Sequence, residues 1–457
     1  MFLLRFRLLI FFTDFGILIV VIIMKSVWQD SISLPEFPKL QKEIKTDVLI
    51  IGGGMAGVLC AYMLHKSGID YTLVEQDKIC SGVTACTTAK ITSQHGLIYD
   101  KLIREFGSKS AQMYYKANQV ALNQFREICR KIDCDFEERD AFVYSRSNIS
   151  ALEKELIALH KIGASADFVE KLPLPIKTVG AVKFSRQAQF NPFKFIAAIS
   201  KNLNIYEHTC VKQLTPNNAY CDGAKIKAKI IIVATHFPFN NKHGSYFLKM
   251  YQHRSYVLAL ENAQQVNGMF IDESKTGLSF RNYGDLLLLG GGSHRTGKSG
   301  GNWRELEQFA ARNYPEAKEI YRFSTQDCMT LDGVPYIGRY SANTPNMYVA
   351  TGFNKWGMTS SMVSAMLLCD AVRGKFNPAA RLFSPSRIII RPQLAINAAE
   401  AIGNLLTPTA PRCPHLGCAL KWNAAEHSWD CPCHGSRFDE NGVLLNNPAT
   451  GNITIEK

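Results

Sequence analysis

Residues 46–76 read TDVLIIGGGMAGVLCAYMLHKSGIDYTLVEQ and contain a closely spaced set of glycines directly after an apolar run. A short apolar run of this kind is typical of a buried parallel strand, and the spacing after it is typical of a helix. The features follow in a fixed order: a strand at Val48–Ile51, the G-x-G-x-x-G glycines Gly52, Gly54 and Gly57, a helix to about Lys66, and a second strand, Tyr71–Val74, that ends at Glu75. The order predicts a βαβ unit that binds a dinucleotide.

Each glycine in this motif has a physical reason. Gly52 makes the tight turn, Gly54 lets the backbone approach a pyrophosphate, and Gly57 allows the helix to pack closely on the strand. The helix N-terminus then faces the phosphates, and Glu75 can accept hydrogen bonds from ribose hydroxyls. The motif does not by itself separate FAD from NAD.

Composition sets broad limits on function. The chain has 457 residues, 46% of them hydrophobic, which is enough for two or three folded units. The formal charge is +13, but the basic residues form no block or stripe, so we do not expect nucleic-acid binding. A basic balance also suits enzymes that bind phosphate-bearing cofactors.

The cysteines point to one metal site in a reducing compartment. Of 13 cysteines, nine are scattered from Cys60 to Cys369 and four fall between Cys413 and Cys433. A secreted disulfide scaffold does not have this distribution, so we expect a cytoplasmic protein.

The C-terminal cysteines belong to two boxes, C-x-H-x-x-C and C-x-C-H-G-S. One cysteine and one histidine from each box fit a [2Fe–2S] cluster of Rieske type, with two thiolates on one iron and two imidazoles on the other. The predicted ligands are Cys413, His415, Cys431 and His434. A zinc site made by the same four residues is the alternative, although zinc spacing usually pairs cysteine with cysteine and histidine with histidine.

The N-terminal segment allows three interpretations. Leu8–Met24 is apolar except for Thr13, Asp14 and Gly16, and it follows two arginines. It is either an artefact of a start site that lies at Met24, a membrane anchor, or a signal peptide. Only the anchor would make the protein membrane-associated.

Three stretches outside residues 46–76 resemble the D-amino-acid-oxidase/glycine-oxidase (DAO) superfamily of FAD enzymes. They are AKIIIVATHFPF at 228–239, DGVPYIGR at 332–339, and NMYVATGFNKWGMTSSMVSAMLLCDAV at 346–372. The resemblance implies an α/β FAD-binding Rossmann-like fold of glutathione-reductase type with an inserted α+β substrate domain. It also implies that the helix from about Met358 points its N-terminus at the flavin.

We expect FAD contacts from the glycine motif, the loop GVTACTTAKITSQHG at 82–96, and the later stretches that carry the resemblance. The expected residues are Gly52, Gly54, Met55, Ala56, Gly57, Glu75, Thr84, Thr87, Val211, Ala234, Thr235, Gly352, Asn354, Gly357 and Met358.

Two insertions, at about 100–183 and 252–323, are expected to build the substrate side. The candidate substrate residues are Arg254, Tyr256, Arg281, His294 and Lys355, with Trp356 as an apolar wall. An arginine facing the flavin would favour a carboxylate substrate, because its planar fork matches two oxygens.

The C-terminal boxes also resemble Rieske proteins, and the combination resembles a bacterial family of Rieske-containing FAD oxidoreductases. The resemblance implies a disulfide between Cys418 and Cys433, and a hydrogen bond from Ser436 to a bridging sulfide. Between Leu406 and Cys413 the chain offers only TPTAPR. The small all-β Rieske domain is therefore expected to be truncated, and its ligands to be more exposed to solvent.

These observations predict an organisation and a function. The predicted ranges are an N-terminal segment at 1–24, the FAD domain at 25–378, a linker at 379–405 and the Rieske domain at 406–457. We expect an FAD-dependent oxidoreductase that oxidises an amine or amino-acid-like small molecule and passes electrons to the Rieske cluster, and then to an unknown acceptor. The alternatives are the reductase arm of an oxygenase, and a redox carrier or sensor without its own substrate.

Overall fold

The computed structural model describes residues 9–11, 19–21, 24–274, 276–387, 392–407 and 411–455. Most of the hydrophobic segment 8–24 lies outside these residues, so its three interpretations stay open. Within the described ranges, no helix has both the length and the apolar character needed to cross a membrane.

The chain forms eleven α-helices and twenty-three strands within the described residues. The helices are α1 (Val27–Ser31), α2 (Met55–Lys66), α3 (Tyr99–Phe106), α4 (Ser108–Cys129), α5 (Ile149–Lys161), α6 (Pro192–Ser200), α7 (Tyr246–Lys249), α8 (Asn302–Asn313), α9 (Gly357–Val372), α10 (Ala380–Phe383) and α11 (Pro392–Leu406), with a 3₁₀ turn at Val83–Cys86. The strands are β1 (Leu9–Phe11), β2 (Ile19–Val21), β3 (Ile44–Ile51), β4 (Tyr71–Val74), β5 (Lys90–Ile91), β6 (Glu137–Ser145), β7 (Asp167–Val169), β8 (Gly180–Gln189), β9 (Ile205–Tyr206), β10 (Val211–Thr215), β11 (Asn218–Cys221), β12 (Ala224–Val233), β13 (Met250–Glu261), β14 (Met269–Asp272), β15 (Ser279–Tyr283), β16 (Leu286–Arg295), β17 (Lys318–Thr330), β18 (Tyr336–Arg339), β19 (Met347–Thr351), β20 (Lys421–Asn423), β21 (Ser428–Asp430), β22 (Arg437–Asp439) and β23 (Leu444–Asn446).

The first large sheet, which we name the parallel sheet, carries the glycine motif. Its strands run in the order β10-β11-β12-β3-β4-β9, with β19 added beside β12 and β18 beside β19. Strands β12, β3, β4 and β9 are parallel to one another. Helices α2 and α9 pack together on this sheet and are apolar on nearly all sides, because both are enclosed in the core. The predicted strand–glycine–helix–strand unit is confirmed, with β3, α2 and β4 in the predicted places.

The second large sheet, which we name the covering sheet, is built mostly from the two predicted insertions, with β5 added from the chain before the first of them. Its nine strands run in the order β17-β13-β16-β15-β14-β6-β8-β5, with β7 beside β8. Strands β13 and β17 are antiparallel along almost their whole length, from Met250 opposite Thr330 to Glu261 opposite Lys318. This long pair is the part of the fold on which both sites described below depend.

The C-terminal unit is small. Helix α11 is followed by four short antiparallel strands in the order β20-β21-β22-β23. Its own buried apolar cluster contains four cysteines and only three other buried residues, Leu420, Phe438 and Ala449. Such a core is too small to hold the unit by itself, so contacts with the rest of the chain matter.

Candidate functional site

A cavity of about 590 Å³ lies at the carboxyl ends of the parallel strands, between the parallel sheet and the covering sheet. This is where an open α/β sheet binds its ligand. Both sheets line it, and residues 445–447, 449 and 450 of the C-terminal unit also contribute to its wall.

The glycine motif shapes one end of the cavity, and Gly52 and Gly57 leave no space for a side chain. Gly52 has φ +106°, and an added Cβ there would lie 2.6 Å from the Ala234 carbonyl oxygen. At Gly57 an added Cβ would lie 1.9 Å from the Gly52 oxygen, because α2 packs directly on the turn. At Gly54, where α2 begins, the only heavy atom within 4 Å would be Thr84 Oγ1 at 3.5 Å. The backbone is therefore open to a ligand at Gly54, as a pyrophosphate site requires.

Glu75 sits at the end of β4 and lines the cavity. Its Oε2 accepts a hydrogen bond of 2.6 Å from the Gly53 N–H, and its Oε1 accepts one of 3.0 Å from the Asp77 N–H. Burial raises the pKa of this carboxyl, and the two N–H groups oppose that rise. A carboxylate held in this way can accept ribose hydroxyls from a nucleotide.

The loop at 82–96 is held against the cavity by two buried side chains. Arg281 Nη1 donates to the carbonyl oxygens of Thr88 at 2.7 Å and Ala89 at 3.0 Å. Trp28 Nε1 donates to the Thr87 oxygen at 2.7 Å, and the Arg281 guanidinium lies over the Trp28 ring. These contacts fix the loop in the conformation that brings its threonines to the cavity.

Thirteen of the fifteen residues expected to contact FAD line this one cavity. Gly57 lies behind it, where it allows the close packing already described. Gly352, with φ +73°, also lies outside the lining, and a Cβ there would lie 2.4 Å from Thr330 Cγ2. The N-terminus of α2, the open backbone at Gly54 and the Glu75 carboxylate together fit a dinucleotide such as FAD.

Two of the five candidate substrate residues also line the cavity. They are Tyr256 on β13 and Lys355 just before α9, and Trp356 lies beside them as expected. The Tyr256 hydroxyl bonds His294 Nε2 at 2.9 Å, and the two rings stack, so His294 stands behind the tyrosine instead of in the cavity.

The expectation that an arginine faces the cavity is corrected by the structure. Arg281 is fully buried and is used to hold the loop at 82–96. Arg254 points to the other face of the covering sheet, where it binds Glu426 of the C-terminal unit. Successive side chains of a strand point to opposite faces of the sheet, and Arg254 lies on the face away from the cavity.

His236, His253 and Asp327 are among the titratable side chains that line the cavity and that were not predicted from the sequence. His253 and Asp327 lie directly opposite each other on β13 and β17. Burial raises the pKa of Asp327 to about 6, while Lys355 and Arg254 act in the opposite direction. A signal was present, because residues 324–327 read STQD in a strand with polar side chains on both faces.

The four predicted cluster ligands lie in the C-terminal unit as two close pairs, one of histidines and one of cysteines. His415 Nδ1 lies 3.2 Å from His434 Nδ1, and the thiols of Cys413 and Cys431 are in contact. His415 Nε2 donates to Asn241 Oδ1 at 2.9 Å, so Nδ1 is the nitrogen that would be available to bind iron. Burial lowers the pKa of His415 to about 4 and of His434 to about 3, so both imidazoles are neutral, as ligands must be.

Cys418 and Cys433 are separate thiols in the structure. Their sulfurs lie within 4.8 Å of each other and of the Cys431 sulfur. The disulfide that the resemblance implies therefore stays a prediction. The Ser436 side chain, fully buried, bonds the Cys413 thiol and accepts a hydrogen bond from the Ala449 N–H.

The two cysteine–histidine boxes, residues 413–418 and 431–436, are named the cluster loops. The second of them contacts the face of the covering sheet that points away from the cavity. Gln252 Nε2 on β13 donates to the His434 oxygen at 3.1 Å, and Gln326 Nε2 on β17 donates to the Gly435 oxygen at 2.8 Å. Side chains one residue along, at His253 and Asp327, line the cavity. One pair of strands therefore separates the cavity from the cluster loops.

A buried group of charges fastens this contact. Glu426, with a side chain 2% exposed, accepts hydrogen bonds from Arg254 of β13 and from Arg437 of the C-terminal unit. The Ser324 hydroxyl donates to the same carboxylate at 3.1 Å, and Arg437 also bonds Asp430 at 2.8 Å. Burial raises the pKa of Glu426, but the two arginines overcome this and hold it at about 2. The ion group is satisfied on all sides, as a buried charge must be.

Three of the four predicted ligands are buried, contrary to the expectation that truncation would expose them, while His415 is partly exposed. Cys413 and Cys431 are each 1% exposed and His434 is 3% exposed. The covering sheet and the segment between β12 and β13 cover them, with Phe237 and Phe247 against the two histidine rings. The FAD-side domain therefore supplies the support that extra strands would otherwise give.

Comparison with protein families gives two matches. The family described as FAD dependent oxidoreductase (DAO) matches residues 47–371, and the Rieske [2Fe-2S] domain matches residues 392–456. The first match covers both large sheets, and the second covers α11 and the C-terminal strands.

Individual relatives match over most of the chain. The Rieske 2Fe-2S iron-sulfur protein YhfW of Bacillus subtilis is 37% identical, over 93% of this chain and 96% of that protein. The gamma-glutamylputrescine oxidoreductase of Escherichia coli is 21% identical over 79% of this chain and 93% of that protein. Among solved structures, glycine oxidase from Geobacillus kaustophilus has the same fold, with a TM-score of 0.64 and 19% identity over 76% of this chain and 100% of that chain.

Proposed function

The chain belongs to the DAO family of FAD-dependent oxidoreductases and carries a Rieske [2Fe–2S] domain, and from this premise we propose that it oxidises a small amine or amino-acid-like substrate and transfers the electrons internally to the Rieske centre. FAD supplies a two-electron acceptor for a C–H bond next to nitrogen, and the cluster supplies a one-electron acceptor.

One observation carries this proposal. The two sites share strands β13 and β17, with the cavity on one face and the cluster loops on the other. Side chains alternate along a strand, so the two sites are separated by little more than one sheet. Residues 445–450 of the Rieske unit also contribute to the cavity wall. A cluster placed there is positioned to serve the cavity.

The chain's own residues divide the work. The backbone at Gly54, the N-terminus of α2 and Glu75 would hold the dinucleotide, and the loop at 82–96 would close over it. Cys413, His415, Cys431 and His434 would hold the cluster. Tyr256, Trp356 and the faces of β13 and β17 enclose the space left for substrate and limit water there.

The substrate class is supported by relatives whose names state amine or amino-acid chemistry, gamma-glutamylputrescine oxidoreductase and glycine oxidase. We place the protein in the cytoplasm because its cysteines lack the distribution of a secreted disulfide scaffold.

The test is anaerobic reduction of the purified protein by separate compounds. We expect a panel of primary and secondary amines and amino acids to contain compounds that bleach the flavin absorption, and NADPH to leave it unchanged. Bleaching by NADPH alone would support a reductase arm, and bleaching by neither would support a redox carrier.

A further inference from the structure

Asp327 is a carboxylate that the fold places in the cavity. It lies on β17 directly opposite His253 of β13. Among the described residues that line the cavity from β13, β16 and β17, Asp327 is the one carboxylate. Asp272 and Glu273 also line the cavity at the end of β14, where they accept hydrogen bonds from the Ser274 N–H and the Ser145 hydroxyl. The neighbours of Asp327 along β17, Gln326 and Ser324, point to the opposite face and are bonded to the C-terminal unit.

Nearby charged groups and burial have opposite effects on the ionisation of Asp327. Two cations influence it: Lys355, whose Nζ donates to Ser293 Oγ of β16 at 3.4 Å, and Arg254 from the other face of β13. Arg254 is already engaged by Glu426. Burial opposes ionisation of Asp327. A carboxylate in such a place gains most from a cationic partner that brings its own N–H donors.

The lack of arginine among the described residues that line the cavity also favours a cationic substrate. None of the described residues that line the cavity is an arginine, because the two expected there are used elsewhere. The planar fork that would select a carboxylate is therefore missing from the cavity side of the covering sheet within the described residues, and Asp327 lies on that side instead.

We infer that Asp327 binds the positively charged nitrogen of the substrate, so that the enzyme selects a cationic amine by its ammonium group. This inference rests on the proposed function and names its substrate determinant. Tyr251, Val257 and Met329, which line the same face, supply apolar surface for the carbon chain. A substrate carboxylate, where one exists, is bound by Lys355, which lines the same cavity, and is secondary to the amine.

The test uses three compounds that lack a hydrogen on the carbon bonded to nitrogen or lack nitrogen, so none can be oxidised. They are tert-butylamine (cation only), pivalate (anion only) and 2-aminoisobutyrate (both charges). Binding to the FAD-loaded protein is measured by calorimetry and by the change in flavin absorption. Wild-type protein is expected to bind both nitrogen compounds, and Asp327→Asn to bind each at least about tenfold more weakly, since a hydrogen bond to a charged group is lost. Pivalate affinity stays within about twofold.

The control is Asp285→Asn, which removes the same charge from the exposed turn between β15 and β16 and should change no affinity. FAD content and melting temperature report folding. If Asp327→Asn fails to fold, Asp327→Glu keeps the charge and should retain the preference for tert-butylamine over pivalate; loss of that preference contradicts the inference.

Equal amine affinity in wild type and Asp327→Asn overturns the inference, as does a wild-type protein that binds pivalate but not tert-butylamine. The proposed function is judged separately, by bleaching of the flavin with oxidisable amines. Bleaching with the same amine affinity in both proteins leaves the reaction standing without Asp327. Binding through Asp327 without any bleaching leaves the site standing without the reaction.

Discussion

Replacing Glu426 with glutamine should release the Rieske unit from the covering sheet. The carboxylate is 2% exposed and is shared by Arg254 of β13 and Arg437 of the C-terminal unit. Glutamine has the same length but no charge, and its amide N–H₂ would face arginine or serine donors. Two buried guanidinium groups would then lose their common counter-ion.

The expected loss can be worked out in two ways. A carboxyl whose pKa falls from 4.5 to about 2 on folding contributes about 3 kcal/mol of stability at neutral pH. Removing one partner of a buried ion pair costs about 3–5 kcal/mol. Because the folded-state pKa is the lower one, this contribution is complete above pH 4.5 and is lost as the pH falls toward 2.

The assay is urea unfolding at pH 7, followed by the visible circular dichroism of the cluster and by flavin release. We expect the cluster transition of Glu426→Gln to move to lower urea by about 1 M or more, ahead of flavin release. Glu440→Gln, at an exposed position of the same unit, is the control. A Glu426→Gln midpoint equal to that of Glu440→Gln would refute the reasoning.

Three further predictions test other parts of the fold. Gly57→Ala should yield protein with little bound FAD, measured as flavin absorbance per chain, because the new Cβ would lie 1.9 Å from the Gly52 oxygen; Gly403→Ala, with nothing within 4 Å, should keep its FAD. Glu155→Gln should be more stable than wild type at pH 8 but not at pH 4. Burial raises the pKa of Glu155 to about 7, so wild-type protein loses stability as the pH rises from 4.5 to 7. Thermal melts of both proteins across that window measure this, and a difference in melting temperature that does not change with pH would contradict it. Ser436→Ala should keep the Rieske spectrum at a lower midpoint potential in a redox titration, because a hydrogen bond beside the cluster is lost; an unchanged potential would exclude that role.

The local parts of both sites could be predicted from sequence because their residues lie close together in the chain. The glycine motif and Glu75 span one βαβ unit, and the cluster ligands lie in two short boxes. In each case, chemistry and spacing together restrict the geometry.

The long-range parts could not be predicted, and Arg254 shows why. Whether its side chain reaches the cavity depends on which face of β13 it occupies, and the β13–β16 pairing shifts register between Arg254 and Tyr256. Its partner, Glu426, lies 172 residues away in the chain. The sequence does not show which face of β17 Asp327 occupies, so its place in the cavity could not be predicted. For the same reason, the support that a sheet of the FAD domain gives to the shortened Rieske unit could not be predicted.

The central claim is that substrate electrons reach the Rieske centre within one chain. Its most direct test is low-temperature EPR of protein frozen after anaerobic addition of an amine that bleaches the flavin. We predict that the low-average-g signal of a reduced Rieske cluster appears as the flavin is bleached. Flavin bleaching with an intact cluster that stays oxidised, and becomes EPR-visible only after dithionite, would contradict the claim.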